Sequence, residues 1–131
     1  MQVEDINALT AGAFESAFGD IAEESPWVAS HAFRAAPFVS RDAVIDAFEQ
    51  ALLSADDEDR LAVICAHPDL AGKLAAAGRL TDDSTTEQAS AGLDSLTDAE
   101  RTEFTALNET YKARFGFPFI LAVKGATKNQ I

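Results

Sequence analysis

Basic side chains are scarce: 10 lysines and arginines stand against 22 aspartates and glutamates, a net charge of −12. A chain with that balance lacks the basic face that nucleic acid requires, and anionic membrane surfaces repel it. A pocket can be locally basic all the same, so an anionic small molecule remains open as a ligand. Cysteine is nearly missing. The single Cys65 permits no disulfide framework, and within Ile64-Cys65-Ala66 it reads as a small core residue at ease in a reducing compartment. Long apolar runs are missing too: the longest, Phe117 to Val123, falls far short of the ~20 residues that span a bilayer. No charged-then-apolar leader opens the chain and no Ser-Lys-Leu closes it, so the expected location is cytoplasmic, with a bacterial-like acidic, alanine-rich composition. Two histidines, His31 and His67, lie far apart with no HxxH or ExxH pair, which gives no zinc or di-iron signature. Ala71-Gly72-Lys73 lacks the first glycine of a phosphate loop.

What is present is ordinary for a globular protein: 131 residues, 47% hydrophobic and 24% charged. That length suits one domain able to bury a core without disulfide or metal. The periodicity is helical throughout. Thr10 caps a helix with the stripe Phe14, Ala17, Phe18 and Ile21. Ser25-Pro26 reads as a cap with proline at the first helical position, opening a helix through Trp27, Val28 and Phe33 that stops before Pro37. Ser40 starts the next, with Val44, Ile45, Phe48, Ala51 and Leu52 on its buried side. Asp56 to Asp59 suit a first helical turn, where the macrodipole favours anions; that helix runs through Leu61 and Ile64 to Ala66. Asp69 to Ala77 predicts a short helix ended by Gly78. Ser84–Glu87 and Thr97–Glu100 both match the capping box S/T-x-x-E. The second opens a long helix bearing Phe104, Leu107, Tyr111 and Phe115, closed by Gly116. Phe117 to Val123 is expected to be an extended or single-turn segment crossing the core. Lys124 to Ile131 reads as a linker and the first turn of a helix. The fold class is all-α: a single-domain bundle of six to eight helices over residues 1–131.

Few residues offer chemistry. His67, in His67-Pro68-Asp69, is the first candidate for acid–base work, against the plainer reading of a partly buried histidine bonded to a carbonyl. His31 reads as solvated or structural. Ser84 and Glu87 are caps by pattern, though a helix start is also a ready anion site. Arg114 is a favourable cation near a helix C-terminus or a fork for a carboxylate.

Taken together these segments resemble a known family. His67-Pro68-Asp69-Leu70-Ala71-Gly72-Lys73 is similar to the HPDLxGK signature of the OHCU decarboxylases, which act on 2-oxo-4-hydroxy-4-carboxy-5-ureidoimidazoline between urate and allantoin. Ser84-Thr85-Thr86-Glu87-Gln88 followed by Ala91-Gly92-Leu93 resembles the family's S-x-x-E-Q…A-G-L segment. Leu107-Asn108-x-x-Tyr111-x-x-Arg114-Phe115-Gly116-Phe117-Pro118-Phe119-Ile120 resembles its L-N-x-x-Y-x-x-R-F-G-F-P-F-I block. Ser25-Pro26-Trp27-Val28 and Pro37-Phe38 are similar to its N-terminal part. Four blocks in the family's order cover nearly the whole chain.

The resemblance implies a cofactor-free, all-helical decarboxylase, usually a homodimer, that releases CO2 and gives (S)-allantoin. It maps the catalytic pair onto His67, as acid/base, and Glu87. It maps substrate contacts onto Pro68, onto Ser84, Thr85, Thr86, Glu87 and Gln88, and onto Phe119, Ile120, Leu121, Ala122 and Val123, the last five largely through backbone groups. Arg114 joins the substrate-binding candidates, because family chains run on through one or two further helices that carry a second arginine. This sequence stops at Ile131, so that C-terminal helix is expected to be missing or truncated. The chemistry agrees with a site free of metal and cofactor: the ring C=N beside the leaving carboxylate accepts the electron pair. The alternative reading is a non-catalytic or partner-dependent helical binding module derived from the family.

Overall fold

Side-chain caps set the starts of three helices in the first half of the chain, at Thr10, Ser40 and Asp56. The computed structural model describes residues 1–72 and 82–131. Helix α1 spans Val3–Asn7 and α2 Ala11–Phe18, whose first turn is closed by Thr10 accepting from the Ala13 N–H at 3.3 Å. A 3₁₀ turn, Gly19–Ile21, follows. Helix α3 is Trp27–Ala32. Pro26 is its N-cap and not its first residue, and the buried Ser25 contributes its carbonyl, which accepts from the Val28 N–H at 3.1 Å. Phe33 lies beyond α3, in a 3₁₀ turn over Phe33–Ala35 that ends ahead of Pro37. Helix α4, Arg41–Leu53, begins at Ser40, which accepts from the Ala43 N–H at 3.1 Å. In α5, Asp57–Ala66, Asp56 caps the acidic first turn by accepting from the Asp59 N–H at 2.9 Å.

These helices form the first of two compact units, Met1–Ala66. Phe14 is its centre, with no exposed surface. Its ring lies 4.7 Å from Phe18, 5.1 Å from Phe33, 5.9 Å from Phe38 and 6.0 Å from Phe48, centroid to centroid. Asn7 fixes the loop that brings Phe38 inward: its amide donates to the Phe38 carbonyl at 2.8 Å and accepts from the Phe38 N–H at 2.7 Å. Helix α4 buries Val44, Ala47, Phe48 and Ala51, a strict i, i+3, i+4, i+7 stripe. Ile45 sits about 100° from Val44 round the helix and is exposed, contrary to the sequence expectation. Cys65 is also exposed rather than a core residue. Helix α5 touches the core along Val63, and Cys65 stands two residues on, on the opposite side.

The second unit is His67–Ile131. It holds α6, Asp82–Ser90, and the long α7, Asp98–Phe115. The capping box of α7 is formed as the sequence predicts: Thr97 Oγ1 accepts from the Glu100 N–H at 3.2 Å, and Glu100 accepts from the Thr97 N–H at 2.8 Å. Lys128 donates to the same carboxylate at 2.8 Å. That bond first, and the Thr97 N–H second, hold the Glu100 carboxyl below its ordinary range. Gly116 ends α7 with φ +81°, the left-handed region a C′ glycine supplies. Residues 117–123 are extended and irregular, as expected, but only partly internal: Pro118 and Val123 are buried, whereas Ile120 and Leu121 are exposed. A helical turn follows, with the Ile131 N–H donating to the Thr127 carbonyl at 3.2 Å. The core of this unit is Leu70, Ala71, Ala91, Leu93 and Val123. Among the described residues no helix is long and apolar enough to cross a membrane.

Phe14→Ala removes the ring that four others surround. It is expected to cost about 3–5 kcal/mol, read as a lower urea midpoint, whereas Ile45→Ala is expected to change stability by less than about 0.5 kcal/mol, as exposed positions do.

Candidate active site

All the candidate residues, from His67 to Val123, fall within the second unit. The segment that carries His67 is a turn. Asp69 to Gly72 do not begin a helix: the Gly72 N–H donates to the Asp69 carbonyl at 3.1 Å, and Ala71 has φ +52°. The remainder of the helix expected up to Ala77 and Gly78 lies outside the described residues. Left-handed backbone at a residue with a Cβ costs about 1–2 kcal/mol, so something must hold Ala71 there. Gln88 does: this buried side chain accepts from the Ala71 N–H at 2.9 Å. Gly72 permits the tight turn, since a Cβ there would stand 2.8 Å from the Asp69 Cβ.

His67 is half-buried and Pro68 buried. The imidazole Nδ1 lies 3.0 Å from the Pro68 carbonyl oxygen. A carbonyl only accepts, so the bond requires hydrogen on Nδ1. The neutral ring then carries its lone pair on Nε2. The plain reading of His67, bonded to a carbonyl, and the chemical one are therefore compatible: the carbonyl selects the basic nitrogen. His31 is exposed, with Nδ1 3.1 Å from the Trp27 carbonyl oxygen and its ring edge-on to Trp27, consistent with its structural reading.

Helix α6 starts at Asp82, two residues ahead of the expected cap. Ser84 is consequently inside the helix rather than ahead of it. Thr86 Oγ1 donates back one turn to the Asp82 carbonyl at 2.9 Å. An acidic residue in the first turn suits the macrodipole. Ser84 is half-buried, Thr85, Thr86 and Glu87 are exposed, and Gln88 is internal. Through Gln88, α6 is joined directly to the His67 turn. Val123 shares the core with Leu70 and Ala71, which brings the end of the 119–123 segment to the same place. Phe119 is partly buried against that core, and Ala122 is exposed. Arg114 is exposed on the last turn of α7, its guanidinium 5.1 Å from the Phe115 ring centre.

Two residues that the sequence reading did not select also meet the turn. Asn108, buried in mid-helix, donates to the Leu70 carbonyl at 3.0 Å. Lys112, one turn further along α7, donates to Asp69 at 2.8 Å and is 2.9 Å from Glu109. Those two carboxylates, Asp69 first, raise the Lys112 ammonium above its ordinary value. Asparagine is a poor helix former, so its place inside an 18-residue helix was the signal available. Beside it lies a cavity of about 210 Å³ lined by Leu70, Phe104, Leu107, Tyr111 and Phe119, among others.

The chain has known relatives. It is 43% identical to the 2-oxo-4-hydroxy-4-carboxy-5-ureidoimidazoline decarboxylase of Haloferax volcanii, over all of this chain and 76% of that protein. It is 40% identical to a uric acid degradation bifunctional protein of Bacillus subtilis, covering 98% of this chain and 25% of that one. The crystal structure of an (S)-allantoin synthase superposes with a TM-score of 0.71 at 30% identity, over 98% of this chain. This chain spans 41% of that solved chain. Helical fold and decarboxylase relatives together define an all-α carboxy-lyase. More particularly, residues 7–131 match the family model described as OHCU decarboxylase, and the chain belongs to that family.

Gln88→Leu keeps the volume and removes the acceptor, leaving a buried Ala71 N–H unpaired. The expected loss is about 1–3 kcal/mol, seen in urea unfolding, with faster hydrogen exchange at the Ala71 amide.

Proposed function

We propose that this chain decarboxylates 2-oxo-4-hydroxy-4-carboxy-5-ureidoimidazoline to (S)-allantoin in urate degradation, with His67 as the acid/base group. The observation that carries this reading is the His67 turn itself. It presents an imidazole with Nδ1 engaged by a carbonyl, on a turn whose Ala71 N–H is bonded to Gln88 and whose Leu70 and Ala71 share a core with Val123. The family assignment supplies the substrate.

The chemistry asks for little. The bond from the ring carbon to the carboxylate breaks and CO2 leaves. The electron pair moves into the adjacent ring C=N, and a proton is delivered to one face of the ring. The substrate's own C=N is the electron sink, so the reading includes no cofactor. His67, with its lone pair on Nε2, is the group we assign to carry that proton. Glu87 and Gln88, with Ser84, Thr85 and Thr86, offer acceptors and donors to the urea-like groups. Residues 119–123 are not helical, so their N–H and C=O groups are not committed to a helix, which suits ring amides. Pro68 walls the site, and Arg114 is the candidate partner for a carboxylate.

We read residues 1–131 as one functional domain, because the family match runs through both compact units. We also read the protein as a cytoplasmic homodimer. The support is apolar surface on the second unit, where Leu107, Phe115, Ile120 and Leu121 are 60%, 47%, 44% and 41% exposed. Sedimentation is expected to give a dimer for this protein and a monomer for Leu107→Glu/Phe115→Glu.

His67→Gln tests the catalytic assignment. General acid–base groups contribute roughly 10²–10⁴-fold, so substrate decay is expected to slow by that factor with the helical circular dichroism unchanged. Full activity in His67→Gln contradicts the assignment.

A further inference from the structure

The His67 turn is held from outside at three consecutive residues. Lys112 bonds the Asp69 carboxylate at 2.8 Å, Asn108 the Leu70 carbonyl at 3.0 Å, and Gln88 the Ala71 N–H at 2.9 Å. Asn108 and Lys112 belong to one helix and stand one turn apart, so they face the same way. Helix α7 is closed at both ends, by its capping box and its glycine stop, and offers both side chains from one rail.

That rail controls one atom of consequence. The Pro68 carbonyl belongs to the planar peptide unit it shares with Asp69, so its direction depends on where Asp69 is held. Asp69 is held twice, through its side chain by Lys112 and through its carbonyl by the Gly72 N–H. The Pro68 carbonyl is in turn the group 3.0 Å from His67 Nδ1. We propose that Asn108 and Lys112 are positioning residues for the reaction: by fixing Leu70 and Asp69 they aim the Pro68 carbonyl at His67 Nδ1 and keep Nε2 as the nitrogen that exchanges the proton. Neither is hydrogen-bonded to the imidazole. The proposal rests on the reading of His67 as the acid/base group.

The cost of removing them falls on catalysis more than on stability. The Lys112–Asp69 pair is partly exposed, with side-chain accessibilities of 35% and 22%, and such pairs contribute little to folding. A displaced acid–base group is felt strongly, since misplacement of about 1 Å costs on the order of 10²-fold.

Lys112→Met keeps the aliphatic stem and removes the charge; Lys112→Arg restores a donor; Asn108→Leu keeps the branching at Cγ and removes the amide. Two measurements are made on each. One is the kcat and KM of substrate decay. The other is the ¹⁵N spectrum of the His67 imidazole, assigned by its loss in His67→Gln. The expected result is an Nδ1–H tautomer in the parent protein and a mixed population in Lys112→Met and Asn108→Leu. With it, kcat falls roughly tenfold or more and KM stays within about twofold, and Lys112→Arg recovers most of both. An unchanged tautomer in Lys112→Met and Asn108→Leu overturns the proposal, and so does a lower melting temperature with unchanged kcat. If the parent protein shows no decarboxylation, the functional reading fails instead, and the imidazole spectrum still decides whether the rail holds the ring.

Discussion

A five-residue turn exposes more backbone hydrogen-bonding groups than it can satisfy itself, and where it is buried each one needs a partner. The turn from Pro68 to Gly72 meets this demand with side chains from two helices. The bond from the Ala71 N–H to Gln88 is the one on which most depends. It holds Ala71 in left-handed backbone, seats Leu70 and Ala71 in the core of the second unit, and ties α6 to the segment carrying His67. Without it the left-handed residue of the turn loses its one side-chain partner, and the bonds from Asn108 and Lys112 hold the turn alone.

This gives Gln88 two candidate duties. The resemblance assigns it to the substrate, and its carbonyl oxygen is visibly engaged with the backbone. An amide has donors as well, so one end can hold the scaffold while the other faces a ligand. Pre-organisation of this kind suits a reaction that needs little covalent chemistry from the protein. When the substrate carries its own electron sink, the remaining work is orientation, exclusion of water and delivery of one proton to one face.

Helices α2, α4 and α5 of the first unit were legible because their signals are local, whereas the five-residue α1 was not read. Thr10 and Ser40 cap where the pattern puts them, and the Val44–Ala51 stripe follows a single period; Asp56, expected within a first turn, caps it from one residue ahead. The Thr97 box was legible for the same reason. The pattern at Ser84 was placed two residues late, because the same four-residue pattern can also sit inside a helix, and α6 already includes Asp82. Cys65 and Ile45 were misjudged as internal because apolarity says nothing about which side of a helix faces a core. The candidate site shows the same division. His67 and the 84–88 and 119–123 segments were visible through resemblance to a family. The clamp by Asn108 and Lys112 was not, because it pairs residues 38 and 43 positions apart, and no local period encodes such contacts.

The central claim is that residues 1–131 carry a stereoselective decarboxylase whose proton comes from one face. The direct test is circular dichroism of allantoin formed from freshly generated 2-oxo-4-hydroxy-4-carboxy-5-ureidoimidazoline, with and without the protein. The account predicts rapid growth of the (S)-allantoin signal above the spontaneous background. Formation of racemic allantoin at the uncatalysed rate, in the presence of folded protein, would contradict it.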